Sequence, residues 1–209
     1  MDGGKLFPTY KTVLCIGALF LLLPFPALAG GTNLPAASGV ELVAITNSWA
    51  RPLTLPGLTN FYQVTTNLYR GAQPTAAGMA QLKAMGIKTV INLRSFHSDT
   101  DKVAGTGLKS IRFETKPWHA EEEDVVGFLK VVTDTNNLPV FVHCQRGADR
   151  TGLMCAMYRI VACNWTKKNA IEEMREGGFH FSPAWKNIVA YIEQADIQRI
   201  KKLAGLADK

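Results

Sequence analysis

The stretch VFVHCQRGADRTG, from Val140 to Gly152, constrains this chain more than any other. Pro139 ends the preceding connection, and Val140, Phe141 and Val142 then read as a short strand buried on both faces. Thr151 to Val161 reads as a helix, so only a tight, glycine-containing loop separates the two elements. A strand feeding such a loop places it at the carboxyl end of a sheet, where open α/β folds bind their ligands. The helix that follows presents unpaired N–H groups and the positive end of its dipole, and a loop curling into that end makes a cradle for an anion.

The residue types in the loop suit phosphate chemistry. Cys144 lies at the base of the cradle, where the same field stabilises a thiolate and turns a poor nucleophile into a good one. Arg150, six residues on, carries the planar fork that can grip two phosphoryl oxygens. Gly147 removes a side chain where the backbone folds around the ligand. Gln145, Arg146, Gly147 and Ala148 supply backbone donors, and the Thr151 hydroxyl can bond to the sulfur as it leaves. His143 can orient the loop through its ring. A Cys with an Arg six residues on is common by chance; with His143, Gly147, Thr151 and Gly152 added, it is not.

The rest of the chain alternates strand and helix patterns. A hairpin-like start runs through Tyr62 and Leu68 to Arg70. Thr75 caps a helix that stops at Gly86, and Thr89 to Leu93 and Ile111 to Glu114 read as strands. Ala120 to Thr133 carries Val125, Phe128, Leu129 and Val132 at helical spacing. Thr166 to Glu176 reads as a further helix, and Ser182-Pro183 as the start of one long final helix. The expectation is an α/β domain with a central, mostly parallel sheet flanked by helices.

The beginning of the chain bears on compartment. Lys5 and Lys11, an apolar run from Val13 to Leu23, and Ala27-Leu28-Ala29 have the order of a cleavable secretory leader over residues 1–29. That run is short of the roughly 20 residues a membrane span requires. The mature protein is expected to be secreted or periplasmic, without a stable membrane span. Residues 30–60, rich in Gly, Ala, Pro, Thr and Asn, read as a loosely ordered N-terminal segment, and 61–209 as the folded domain. The formal charge of +6 favours anionic ligands in a general way. No clustered basic stripe argues for nucleic acid. Cys15 falls in the leader, leaving Cys144, Cys155 and Cys163, an odd number that leaves at least one thiol unpaired within the chain. Cys155 and Cys163 read as small apolar core residues.

His143-Cys144, five residues, Arg150 and Thr151 resemble the signature of the cysteine-dependent protein tyrosine phosphatase superfamily. LYRGAQPT (Leu68 to Thr75), GIKTVINLR (Gly86 to Arg94) and the chain from Lys109 are similar to the small dual-specificity phosphatases, especially bacterial forms and the atypical group of fungi and plants. The resemblance spans about Phe61 to Ala195. It implies a protein tyrosine phosphatase-like fold, a phosphocysteine intermediate hydrolysed by water, and neither metal nor cofactor. The substrate would be a phosphorylated protein or a small phosphomonoester.

Such enzymes also need an acid to protonate the leaving oxygen. The family places an Asp about 30 residues before the Cys; here that region reads KPWHAEEED, with His119 nearest that register and Glu121 and Asp124 as further candidates. Acids in a first helical turn are also favoured simply by the dipole. Asp149, beside Arg150, resembles the acid of myotubularin-like and some bacterial phosphatases; its simpler role is a carboxylate bonded to the loop backbone. For substrate, a carboxylate in the loop disfavours a ligand bearing many phosphates, which puts phosphotyrosine ahead of inositol polyphosphates. Arg70, Arg94 and Lys116 could rebuild a basic rim. A rhodanese-like sulfurtransferase would not carry the Arg at this spacing. An inactive phosphate-binding module would not need both Cys144 and Arg150. An exported thiolate is open to oxidation, and Cys155 is the nearest conceivable resolving partner.

Overall fold

The computed structural model describes residues 48–116 and 118–206. The expected leader, and the N-terminal segment up to residue 47, lie outside the described residues. In chain order the elements are β1 (Arg51–Pro52), β2 (Tyr62–Gln63), β3 (Leu68–Gly71), α1 (Ala76–Ala84), β4 (Thr89–Asn92), α2 (Thr100–Val103) and β5 (Lys109–Arg112). Then follow α3 (Glu122–Thr133), β6 (Val140–His143), α4 (Asp149–Ala162), α5 (Lys167–Glu176), α6 (Lys186–Gln194) and α7 (Ile197–Ala204).

The strands form one mixed sheet in the order β1-β2-β3-β6-β4-β5. β3, β6, β4 and β5 run parallel, and β1 and β2 extend the edge antiparallel. The parallel centre is the expected one. β6 sits in its middle, and Val140, Phe141 and Val142 are wholly shielded from water. Burying each such side chain stabilises the fold by about 1.5–3 kcal/mol.

The pleat divides the core in two. Leu68, Ile91, Val140 and Val142 point into the larger cluster, with Phe128 and Leu129 of α3, Met154 and Met157 of α4, and Ile188 of α6. Val90 and Phe141 point the other way, against Met79 and Leu82 of α1 and Leu108. His143, two residues after Phe141, therefore shares its face, and the two rings stack with centroids 5.8 Å apart. α4 runs through the larger layer with every residue from Thr151 to Val161 buried. Its Arg159 is accommodated by Glu173 at 2.7 Å and by the Trp165 ring at 4.2 Å.

Several boundaries differ from the sequence reading. β5 begins two residues early, at Lys109, and α3 starts at Glu122 rather than Ala120. α2, a single turn, carries too short a pattern to register as a helix. The long final helix is two helices: α6 begins only at Lys186, beyond a Ser182–Trp185 turn, and ends at Gln194. Asp196 then caps α7, its carboxylate accepting from the Arg199 N–H at 3.0 Å, and this cap competes with continuation of α6. The fold's contacts also reach back past Phe61. Ala50 N–H donates to Glu173 at 2.7 Å, Arg159 donates to the Ser48 carbonyl at 3.0 Å, and β1 pairs with β2.

Candidate active site

The loop from Cys144 to Ala148 leaves the end of β6 and runs into α4, whose N-terminus no side chain caps. Its carbonyls are held away from the centre. His143 Nδ1 lies 3.1 Å from the Cys144 oxygen, and Gln73 N–H donates to the Gln145 oxygen at 3.2 Å. Asn60 Nδ2 donates to the Arg146 oxygen at 2.9 Å, and Arg70 donates to the oxygens of Gly147 and Ala148 at 2.8 and 3.4 Å. A planar trans peptide points its N–H opposite to its C=O. Fixing five successive carbonyls outward therefore turns the N–H groups of Gln145 through Asp149 inward, toward one anion.

Gly147 makes the tight approach possible. Its φ is +70°, and a Cβ there would lie 2.3 Å from the backbone carbon and oxygen of Gly71 at the end of β3. Arg70, expected among the basic rim residues, is instead 1% exposed, its guanidinium 3.8 Å from the centre of the Phe179 ring. It holds the loop from beneath. Asn60 and Gln73 also hold it, and sequence reading missed both.

Cys144 is 4% exposed. Burial would push its thiol up, but the Thr151 hydroxyl, the N–H groups of Thr151 and Gly147, and the Arg150 charge outweigh burial and bring it below its ordinary value. The buried Thr151 hydroxyl lacks a partner of full hydrogen-bond geometry among the described residues and stays available to the sulfur. Cys155 is the opposite case: burial pushes its thiol up to about 11, so it is a poor partner for oxidised Cys144. The His143 ring is tied by Nε2 to Asp99 Oδ2 at 2.7 Å, with neither side chain exposed to water. Nothing in the sequence pattern flags Asp99.

Arg150 donates to the carbonyl of Leu93 at 3.0 Å and lies 3.4 Å from that of Thr115, which ties α4 to the loops after β4 and β5. Beside it opens a pocket of about 310 Å³ lined by Arg94, Ser95, Phe96, His97, Trp118, Gln145 and Arg150. Larger clefts, such as one of about 450 Å³ between Trp49 and Trp165, contain none of the loop residues. Among the described residues no group of three or more His, Cys, Asp or Glu side chains is placed to hold a metal ion.

None of the four acid candidates lines the 310 Å³ pocket, although Trp118, next to His119, does. His119 is exposed, and Glu121 faces Lys116 at 3.6 Å. Asp149 has both oxygens engaged as acceptors, from Ser182 N–H at 2.8 Å and from Arg146 at 3.0 Å. Asp124, on the first turn of α3, has its carboxyl pushed up by burial and by the charges of Glu121 and Glu123, against the pull of Lys116.

Residues 58–186 match the family described as "DSP-PTPase phosphatase fused to NAD+ Kinase". The chain belongs to the dual-specificity phosphatase family. It is 36% identical over 158 residues to the dual specificity protein phosphatase TpbA of Pseudomonas aeruginosa strain UCBPP-PA14, covering 74% of this chain and 70% of TpbA. The crystal structure of a cysteine-to-serine form of P. aeruginosa TpbA in complex with pTyr superposes with a TM-score of 0.68 at 29% identity, covering 78% of this chain and 98% of that one. The inositol diphosphatase DSP5 of Arabidopsis thaliana is 26% identical over 154 residues, 68% of this chain and 72% of DSP5. The family resemblance in the sequence and the protein tyrosine phosphatase-like fold are thereby borne out, and this phosphatase is a phosphoric monoester hydrolase. No helix among its described residues is long and apolar enough to cross a membrane.

Proposed function

We propose that this phosphatase hydrolyses aryl phosphomonoesters of the phosphotyrosine type through a phosphocysteine intermediate, outside the cytoplasm and after loss of residues 1–29. One observation carries the reading: the Cys144 sulfur meets the Thr151 hydroxyl, the N–H groups of Thr151 and Gly147 and the Arg150 charge, while the loop carbonyls from Cys144 to Ala148 are bonded to other partners. The Cys144 thiolate attacks phosphorus while the substrate oxygen leaves. The loop N–H groups and the Arg150 fork bear the charge spread over the equatorial oxygens. Water then displaces the sulfur and releases inorganic phosphate, with the Thr151 hydroxyl stabilising the departing thiolate.

None of the four acid candidates lines the pocket, and Asp124 is taken as the proton donor in this scheme for the form its carboxyl favours. An acid must hold its proton until the leaving oxygen needs it, and burial and like charges favour that form of Asp124. Asp149, with both oxygens already accepting, serves the loop instead by tying it to Ser182 and balancing Arg146.

The substrate class follows from the rim. Arg146, the second cation of the loop, is already paired with Asp149 at 3.0 Å. Phe96 and Trp118 are 86% and 61% exposed at the pocket's edge. Aromatic faces around one strong anion cradle suit a ring carrying a single phosphate better than a polyphosphate. The pTyr complex of TpbA points the same way, whereas the name of DSP5 supports the inositol alternative.

Initial rates of residues 30–209 on a phosphotyrosyl peptide and on inositol hexakisphosphate, with Cys144→Ser as the blank, test the proposal. Peptide turnover that disappears in the variant is the expected result. Preference for the inositol phosphate overturns the substrate class, and turnover surviving in Cys144→Ser overturns the mechanism.

A further inference from the structure

The ring of His143 meets an acceptor on each side. The Cys144 carbonyl, 3.1 Å from Nδ1, can only accept, so Nδ1 must carry a hydrogen. Nε2 stands 2.7 Å from Asp99 Oδ2, and two bare acceptors would repel there, so a proton lies between them. Burial alone would push the Asp99 carboxyl up, yet the hydrogen bond and charge of His143, with Gln73 and Lys102, together bring it below the usual carboxylate value. With Asp99 as the acceptor, the ring is placed to donate from both nitrogens.

Asp99 is itself held in place. Its Oδ1 accepts from Gln73 Nε2 at 2.7 Å, and Gln73 Oε1 accepts from Arg94, which lines the pocket together with Arg150. The Gln73 backbone N–H also holds the Gln145 carbonyl. A continuous hydrogen-bonded path thus runs from the pocket wall, through Arg94, Gln73, Asp99 and His143, to the carbonyl of Cys144. The pleat makes it possible, because period-2 alternation turns His143 toward the Phe141 face, where the segment between β4 and β5 passes.

We propose that Asp99 is a positioning residue for phosphoryl transfer: it fixes His143 as a double donor that turns the Cys144 carbonyl outward and places a cation behind the thiolate. This rests on the reading of Cys144 as the nucleophile. Asp99 does not line the pocket; its effect on Cys144 runs through His143, while its other oxygen holds Gln73. The groups facing Asp99 are His143 from β6, Gln73 ahead of α1 and Lys102 from α2; those facing Cys144 are Arg150 and Thr151 of α4.

Asp99→Asn tests it, because the amide keeps the size of the side chain and can still bond a neutral ring, while the charge pair is lost. The acid limb of kcat/KM is expected to move up by about one pH unit, and iodoacetamide alkylation of Cys144 on that limb to slow about tenfold. Turnover well above the limb should recover toward that of the parent. A uniform loss at every pH, with the limb unmoved, overturns the proposal by reducing Asp99 to a structural role. A second measurement needs no variant: 15N shifts of the His143 ring in the unaltered phosphatase should show both nitrogens protonated at neutral pH, and one bare nitrogen overturns it. Cys144→Ser separates the two readings. If that variant is inactive while the limb of Asp99→Asn stays in place, the inference about Asp99 falls alone; if Cys144→Ser still turns over, the nucleophile reading falls.

Discussion

Replacing Gly147 by Ala is the sharpest single perturbation of the phosphate cradle. Two costs add. At φ +70° an L residue pays about 1–2 kcal/mol for the left-handed backbone. The new Cβ would also lie 2.3 Å from the carbon and oxygen of Gly71 and 2.6 Å from the nitrogen of Ala72, all backbone atoms of β3 and its exit. Because β3 is hydrogen-bonded to β2 and β6, the loop rather than the strand must give. Relief of such overpacking costs a further 1–3 kcal/mol or so, for a total of roughly 2–5 kcal/mol. A loop displaced by about 1 Å should also lose about 100-fold in kcat/KM. Gly86→Ala is the control, since its φ is +83° but nothing lies within 4 Å of the new Cβ. It pays the backbone cost alone, at a site outside the cradle. Urea unfolding and p-nitrophenyl phosphate turnover, measured on both variants, separate strain from clash. If Gly147→Ala loses no more stability than Gly86→Ala and keeps its turnover, the description of the cradle as pressed against β3 is wrong.

Three further outcomes follow from the site and its supports. Asp124→Asn should lose about 100-fold or more on a phosphotyrosyl peptide, whose leaving oxygen needs a proton, and far less on an aryl phosphate with an acidic phenol. Equal losses on both would remove Asp124 from the donor role. Iodoacetamide should label Cys144 at neutral pH, at a rate that rises with pH and levels off below the ordinary thiol range. Cys155, its thiol pushed up to about 11, should stay unlabelled in the folded protein; peptide mapping that finds Cys155 modified first would contradict both assignments. Glu173→Gln leaves Arg159 buried without its counter-charge and removes the carboxylate that Ala50 N–H bonds. It should destabilise the fold by about 3–5 kcal/mol, read as a lower urea midpoint, and an unchanged midpoint would show that the pair contributes nothing.

The phosphate loop was legible in the sequence because its chemistry is contiguous: a buried strand, Cys144, Gly147, Arg150 and a helix start follow one another within Val140 to Gly152. The framework that shapes the loop was not. Asn60, Arg70, Gln73 and Asp99 come from segments 45 to 84 residues earlier, brought together only because β3 and β4 flank β6 in the parallel sheet. Arg70 could be seen as a cation at a strand end, but its direction depends on which neighbour the strand pairs with. Asp99 lies in a stretch with neither helical nor strand periodicity. The acids at the start of α3 were visible as a cluster, yet only packing distinguishes Asp124 from Glu121 and Glu123. The break between α6 and α7 did have a local signal, since Asp196 is a favourable cap, but the apolar face beginning at Trp185 carried the reading past it.

The central claim is that Cys144 becomes phosphorylated during turnover, and the most direct test is to trap that species. Acid quenching of the phosphatase within the first turnover on an excess of phosphotyrosyl peptide, followed by peptide mass mapping, should find one phosphoryl group on the peptide containing Cys144 and none on that containing Cys144→Ser. Turnover that proceeds at full rate with no phosphoryl group ever present on Cys144 would contradict the account.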